Sequence, residues 1–287
     1  MTKENRDGIN FLTKQNGDGV YYRSAGEGKP IIFIHGWCMN SLVWAWQIAH
    51  FSKTNLAIAI DLRGHGLSQD AAGPYTIDSM ADDLNLLVET LGVKSPIIVG
   101  WSMGTMVALN YIANFKNDIA GIVLVGGTLS FLRAAEFPHG RHPAMVKRLS
   151  ENMERDYKNY IPLFCRGFFE TKEKIGLEEE EAISELLLNN LFPPPFEVAK
   201  ETLKELCDWR IPEKLSALRI PALMIHGEVD NIASVESALE LHRIIPESEL
   251  KVFEKSGHAP FLTDCDKFNQ ELGNFIVTIK GKLQPPC

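Results

Sequence analysis

The chain predicts an α/β protein built on a mostly parallel, eight-stranded sheet flanked by helices, with a helical segment inserted after the sixth strand. Short continuous runs of aliphatic and β-branched residues, such as Ile31-Ile32-Phe33-Ile34 and Ile97-Ile98-Val99, suit strands buried on both faces. Stretches with apolar residues at helical spacing separate them, so strand and helix alternate and successive strands run parallel. The rhythm stops near 128 and resumes near 213, with amphipathic, charged stretches and Pro193-Pro194-Pro195 in between.

In chain order, 9–15 and 19–25 flank the turn cluster Asn16-Gly17-Asp18-Gly19 and predict an antiparallel hairpin. A buried strand at 31–34 ends in His35-Gly36-Trp37-Cys38, followed by a helix through Val43, Trp44, Ile48 and Phe51. The strand Leu56 to Ile60 runs into Asp61-Leu62-Arg63-Gly64-His65-Gly66-Leu67-Ser68. A helix over 77–91 is stopped by Gly92. The run 97–99, a further helix and the strand 119–125 complete the first part. After the insertion come a strand at 221–225, a helix through Leu241, a strand at 250–253 and a last helix over 260–280. The division is a core of 1–127 and 213–287 with a helical lid of 128–212.

Composition narrows the function. The 287 residues are 45% hydrophobic and 23% charged, with a net charge of −8. Such an acidic chain offers no general basic surface for nucleic acid. The polar N-terminus leads into no apolar run long enough for a signal peptide or membrane span, so the expected location is the cytoplasm. Five scattered cysteines lack metal-ligand spacing, and the expectation is free thiols, no metal and no cofactor. Gly26-Glu27-Gly28-Lys29-Pro30 lacks phosphate-loop spacing and predicts a turn.

The chemistry centres on Gly100-Trp101-Ser102-Met103-Gly104, between a strand and a helix. Glycines on either side of a serine permit a sharp turn that lifts Ser102 to the top of a sheet, at a helix N-terminus that favours negative charge. A serine hydroxyl needs a base, and the base needs an orienting acid. Asp230 and His258 each follow a late strand, in the order Ser, Asp, His. Glu228 is the rival acid, and a helix N-cap is the alternative use of Asp230. His35 and His226 stand beside glycines at strand ends and suit loop-fixing hydrogen bonds, while His65 suits a site wall. A tetrahedral intermediate needs two N–H donors, expected from Met103 and from Trp37 in the sharp turn after the third strand.

Taken together, His-Gly-Trp at 35–37, the 61–68 motif, Gly-Trp-Ser-Met-Gly at 100–104, His-Gly-Glu-Val-Asp at 226–230 and Gly-His-Ala-Pro-Phe at 257–261 resemble the α/β-hydrolase fold family over essentially the whole chain. Within it the chain is most similar to the biotin-pathway carboxylesterases that hydrolyse pimeloyl-acyl-carrier-protein methyl ester, on His35-Gly36-Trp37 with Trp44, Gly100-Trp101-Ser102 and His258 to Leu262. The resemblance implies a Ser102, Asp230, His258 triad with Trp37 and Met103 as oxyanion donors. Thr105 departs from the pattern, since many members carry a second glycine there, and this bears on how closely the helix packs.

The insertion would decide the substrate. Phe131, Phe137, Phe164, Phe168, Phe169, Phe192 and Leu186-Leu187-Leu188 are candidates for an apolar acyl channel, with Trp101 beside the nucleophile. From Arg133 to Arg166 seven Lys/Arg stand against four acids, a local charge of +3 on an acidic chain, which suits docking of an acidic acyl carrier protein. Ser102 argues against aspartate-nucleophile dehalogenases and epoxide hydrolases. Cofactor-free perhydrolases of haloperoxidase type, carbon–carbon bond hydrolases, thioesterases and a non-enzymatic ligand receptor on this fold remain the alternatives.

Overall fold

The computed structural model describes residues 3–4, 8–13, 18–115, 118–171, 193–210, 215 and 219–283. Its strands are β1 (Lys3–Glu4), β2 (Ile9–Thr13), β3 (Gly19–Ala25), β4 (Lys29–Ile34), β5 (Asn55–Ile60), β6 (Ile97–Trp101), β7 (Gly121–Val125), β8 (Ala222–Gly227) and β9 (Ser248–Phe253). They form one sheet in the order β1-β2-β3-β5-β4-β6-β7-β8-β9. The eight expected strands are β2 to β9. The two-residue β1 is an addition that pairs antiparallel with the outer edge of β2 and carries no apolar run by which sequence could announce it.

From β5 to β9 the neighbours pair in parallel, and β3 joins β5 antiparallel. The central strands are what their composition dictates. Ile31 to Ile34, Ile97 to Val99 and Val123 are 0% exposed, because helices cover both faces and leave no side for polar residues.

The helices are α1 (Ala45–Phe51), α2 (Ile77–Leu91), α3 (Met103–Asn114), α4 (Pro143–Arg166), α5 (Phe196–Asp208), α6 (Val235–Ile244), α7 (Pro260–Thr263) and α8 (Cys265–Leu283). Helix α2 has both expected ends. Thr76 accepts from the Ser79 N–H at 3.1 Å in a capping box, and Gly92 closes it at φ 60°. The single helix expected over 260–280 is two, separated by the non-helical Asp264.

Helices α4 and α5 lie between β7 and β8, within the span read as a lid. Helix α4 is broken at Asp156 (φ −157°, ψ 70°), whose carboxylate accepts from Asn159 in the next turn. Leu186 to Leu188 and Phe192 lie outside the described residues. Among the described residues no helix is long and apolar enough to cross a membrane, and no group of three or more His, Cys, Asp or Glu side chains could hold a metal ion. Cys38, Cys165, Cys207 and Cys265 are free.

Candidate active site

Strand β6 delivers Ser102. A Cβ on Gly104 would come within 2.4 Å of the Ile34 carbonyl oxygen, and one on Gly100 within 2.4 Å of the Gly104 carbonyl oxygen, so only glycine lets α3 approach the sheet here. The backbone turns at Ser102 through φ 52°, ψ −116°. A non-glycine residue holds such a conformation at a cost of about 1–3 kcal/mol.

The turn is tied down on both sides. The Ser102 N–H donates to the Val125 carbonyl at 2.9 Å. The Ser102 carbonyl accepts from the Thr105 N–H at 2.9 Å and its hydroxyl at 2.6 Å. Thr105 is fully buried, and its methyl sits beside Gly127 on the neighbouring strand end without crowding, since even a Cβ on that glycine would lie at an ordinary 3.5 Å. The absent second glycine therefore does not hold α3 off the sheet.

Met103 opens α3, so its N–H has no intrahelical acceptor. The Gly36-Trp37 backbone passes beside the nucleophile, since a Cβ on Gly36 would lie 3.2 Å from the Ser102 Cβ. His35 sets that peptide. Its Nε2 accepts from the Leu62 N–H at 3.0 Å, so Nδ1 carries the proton and donates to the Gly36 carbonyl at 2.8 Å. In a trans peptide the carbonyl and the following N–H point in opposite directions, so fixing Gly36 O fixes the Trp37 N–H. Burial pushes the His35 ring down to about 4, against the opposing Gly36 bond, and keeps it neutral.

Loops beyond β8 and β9 bring Asp230 and His258 together at 2.7 Å, Oδ2 to Nδ1. Asp230 is enclosed. Its Oδ1 accepts from the Ile232 N–H at 2.8 Å and the Ala233 N–H at 3.0 Å, and His226 Nε2 lies 3.3 Å from Oδ2. Burial alone would raise the Asp230 carboxyl, but the charge and hydrogen bond of His258, with His226 and the Ala233 N–H, bring it below the usual carboxylate value. An ionised carboxylate only accepts, so His258 Nδ1 is the donor, and in the neutral ring Nε2 carries the lone pair. That Nε2 is buried and has no hydrogen-bond partner. The neighbouring strand end closes on the ring, where a Cβ on Gly126 would meet His258 Cε1 at 2.9 Å.

The rival acid is elsewhere. Glu228 is exposed and accepts from the Lys255 N–H at 3.1 Å. The N-cap of α6 is Ser234, not Asp230. His226 donates from Nε2 to the Ala233 carbonyl at 2.8 Å, a loop-fixing bond of the kind expected, and it also borders the Asp230 carboxylate. Its sequence position beside Gly227 suggested only the first.

The aromatic candidates divide by position. Trp101 is 0% exposed beneath His258, and its Nε1 donates to the His258 carbonyl at 2.8 Å. Phe168 packs edge-on to the His258 ring at 5.3 Å and to Phe164 at 5.4 Å. Phe164 in turn meets Trp37 at 5.9 Å. Trp37, Phe164 and Phe168 thus form one continuous aromatic wall leading from the Gly36-Trp37 turn to His258. Phe131, Phe137 and Phe169 are half-buried against the core. Arg141, missed as a site neighbour because it lies far from the motifs, donates from Nη1 to the Asn231 carbonyl at 2.8 Å, just past Asp230.

A family model described as the alpha/beta hydrolase fold matches residues 29–264, most of the chain, from β4 to α7. The chain belongs to the alpha/beta hydrolase fold family. Among members of known sequence, this hydrolase-fold chain is 29% identical over 259 residues to the AB hydrolase superfamily protein YisY of Bacillus subtilis, covering 89% of this chain and 94% of that one. It is 28% identical over 255 residues to the pimeloyl-[acyl-carrier protein] methyl ester esterase of Nitrosomonas europaea, covering 87% and 96%. Among solved structures it resembles the esterase EaEST from Exiguobacterium antarcticum at a TM-score of 0.82 and 25% identity, over 94% of this chain and 98% of that one.

Proposed function

We propose that this chain is a carboxylic ester hydrolase that works through an acyl-enzyme on Ser102. The observation that carries the reading is the Asp230–His258 bond, which leaves a buried, unpartnered Nε2 lone pair at the strand ends that also present Ser102. In the first half-reaction His258 Nε2 takes the Ser102 proton as Oγ bonds to the ester carbonyl carbon. The carbonyl electron pair moves onto oxygen, which the Trp37 and Met103 N–H groups receive. The intermediate collapses, the C–O bond to the alcohol breaks and His258 returns its proton to that alcohol. Water repeats the sequence in place of serine and releases the acid. Asp230 stays ionised throughout, holding the ring in its Nδ1–H tautomer.

The finer reading concerns the ester. The Trp37, Phe164 and Phe168 wall suits an apolar acyl chain. Arg133, Lys147, Arg148, Arg155, Lys158 and Arg166 are exposed and suit an acidic partner. Likeness to the Nitrosomonas esterase supports a pimeloyl chain carried as its methyl ester on an acyl carrier protein.

Hydrolysis of a p-nitrophenyl ester series from acetyl to palmitoyl tests the reading. Wild type should turn over short to medium chains, and Ser102→Ala should lose activity by about 10⁴-fold or more. Undiminished turnover in Ser102→Ala would remove the serine mechanism.

A further inference from the structure

The backbone N–H assigned to the oxyanion belongs to Trp37, and the side chain of the same residue is fastened to the inserted helices. Its indole Nε1 donates to Thr202 Oγ1 at 3.0 Å and to the Ala199 carbonyl oxygen at 3.2 Å, both on α5. An indole N–H only donates, so Thr202 Oγ1 accepts here, and its own proton goes to the Val198 carbonyl at 2.7 Å. The place is dry, with Trp37 4% exposed and Ala199 and Thr202 0%. The buried face of α5 is otherwise apolar, made of Val198, Ala199, Leu203 and Leu206. Valine would fill nearly the same volume as Thr202, so what the hydroxyl adds between α5 and the core is the nearer of the two acceptors that the Trp37 indole finds there, beside the Ala199 carbonyl.

We infer that Thr202 is a positioning residue for the hydrolysis. Trp37 is then held at two ends: the Gly36 carbonyl by His35, and the indole by α5. Between those clamps the N–H beside Ser102 has one direction. This inference rests on the esterase reading, because it concerns the donor that reading assigns.

Helix α5 can serve as a mount because it is bonded to the core away from the site as well. Glu205 Oε2 accepts from the Ile77 N–H at 3.2 Å, and Trp209 Nε1 donates to Asn110 Oδ1 at 2.9 Å. The second of these supplies a control, since it is also a buried indole bond from α5 to the core but does not touch the Gly36-Trp37 turn.

The test is steady-state kinetics on a short p-nitrophenyl ester with thermal melts, comparing Thr202→Val, Thr202→Ser and Trp209→Phe. Thr202→Val should lower kcat about tenfold with KM nearly unchanged, as expected when a transition-state contact is displaced by a fraction of an ångström. Thr202→Ser keeps the hydroxyl and should restore kcat. Trp209→Phe should lower Tm at least as far while leaving kcat near wild type. Should Thr202→Val not fold, Trp37→Phe removes the same bond from its other end and should show the same loss of kcat.

Unchanged kcat in Thr202→Val or Trp37→Phe, with wild type active, overturns the inference alone. So does an equal fall in kcat for Trp209→Phe, which would mean that any α5 anchor has the same effect. A wild type that cleaves no ester overturns the esterase reading and this inference with it.

Discussion

Asp230 accepts three hydrogen bonds, two from backbone N–H groups and one from the His258 ring, and each favours its charged form, with His226 Nε2 a further neighbour at 3.3 Å. Removing the charge while keeping the shape should therefore disturb His258 more than the loop. Asp230→Asn is expected to lower kcat by about 10³–10⁴-fold, because an amide can donate to the ring and stabilise the tautomer with the proton on Nε2. Measured kcat with a circular dichroism spectrum like that of wild type would check it. The positions of Ser102, Asp230 and His258 just beyond β6, β8 and β9 were legible in the sequence because each sits in a short motif at the end of an apolar strand, with glycines that need little interpretation. Thr202 was not legible. Its bond to Trp37 spans 165 residues, and nothing local distinguishes it from any threonine on a helix.

At the scale of elements, the loop after β5 shows how charge holds the frame. Arg63 Nε and Nη2 donate to the two Asp83 oxygens at 2.7 and 2.6 Å, and Nη1 donates to the Ala72 carbonyl at 2.8 Å. Both side chains are buried, at 3% and 0% exposure. Asp83→Asn leaves the guanidinium buried without its counter-charge and should destabilise the fold by about 3–5 kcal/mol, read as a shift of the urea midpoint. Strand and helix order could be read because β-branched runs and helical spacing are local signals. Helix α2 was legible over 77–91 for the same reason, with Gly92 marking its end, while the Thr76 cap emerged only in the structure. The inserted helices were legible only as helical, since the break at Asp156 and the mounting of α5 arise from contacts with elements distant in sequence. Asp264, which divides the last helix, also lacks a breaker such as glycine or proline at the break.

Across the whole molecule, buried histidines set the acid limit. Burial lowers His35 to about 4 and His65 to about 3 from an ordinary 6.5, and it lowers His226 as well. The unfolded chain therefore binds these protons first. Stability is complete above about pH 6.5 and declines as pH falls through the window down to the folded values. While His35 and His65 both stay neutral in the fold, unfolding free energy should drop by up to about 2.7 kcal/mol per pH unit. Asp230, depressed rather than raised, adds a further loss in the same direction, but only below the ordinary carboxylate range. Urea titrations between pH 7 and 4 measure the slope. The exposed basic residues between Arg133 and Arg166, proposed above to meet an acidic partner, have their own signature. Arg155→Glu with Lys158→Glu should raise KM for a carrier-linked ester severalfold at low salt and leave a p-nitrophenyl ester unaffected, and the difference should shrink as salt rises.

Strands β7 and β8 lie side by side and run the same way, so the chain must in any case travel from the top of one to the bottom of the other. The inserted helices occupy that obligatory return path. Lengthening such a path costs little, since closure entropy grows only with the logarithm of its length. The frame should therefore accept a foreign segment between 128 and 212 from another member of the fold, and the substrate range of such a chimera would test whether the insertion decides the substrate. The chimera would not inherit full speed unless the graft also brought a buried acceptor to the Trp37 indole. Exchangeable specificity and retained rate thus make separate demands on the same stretch of chain.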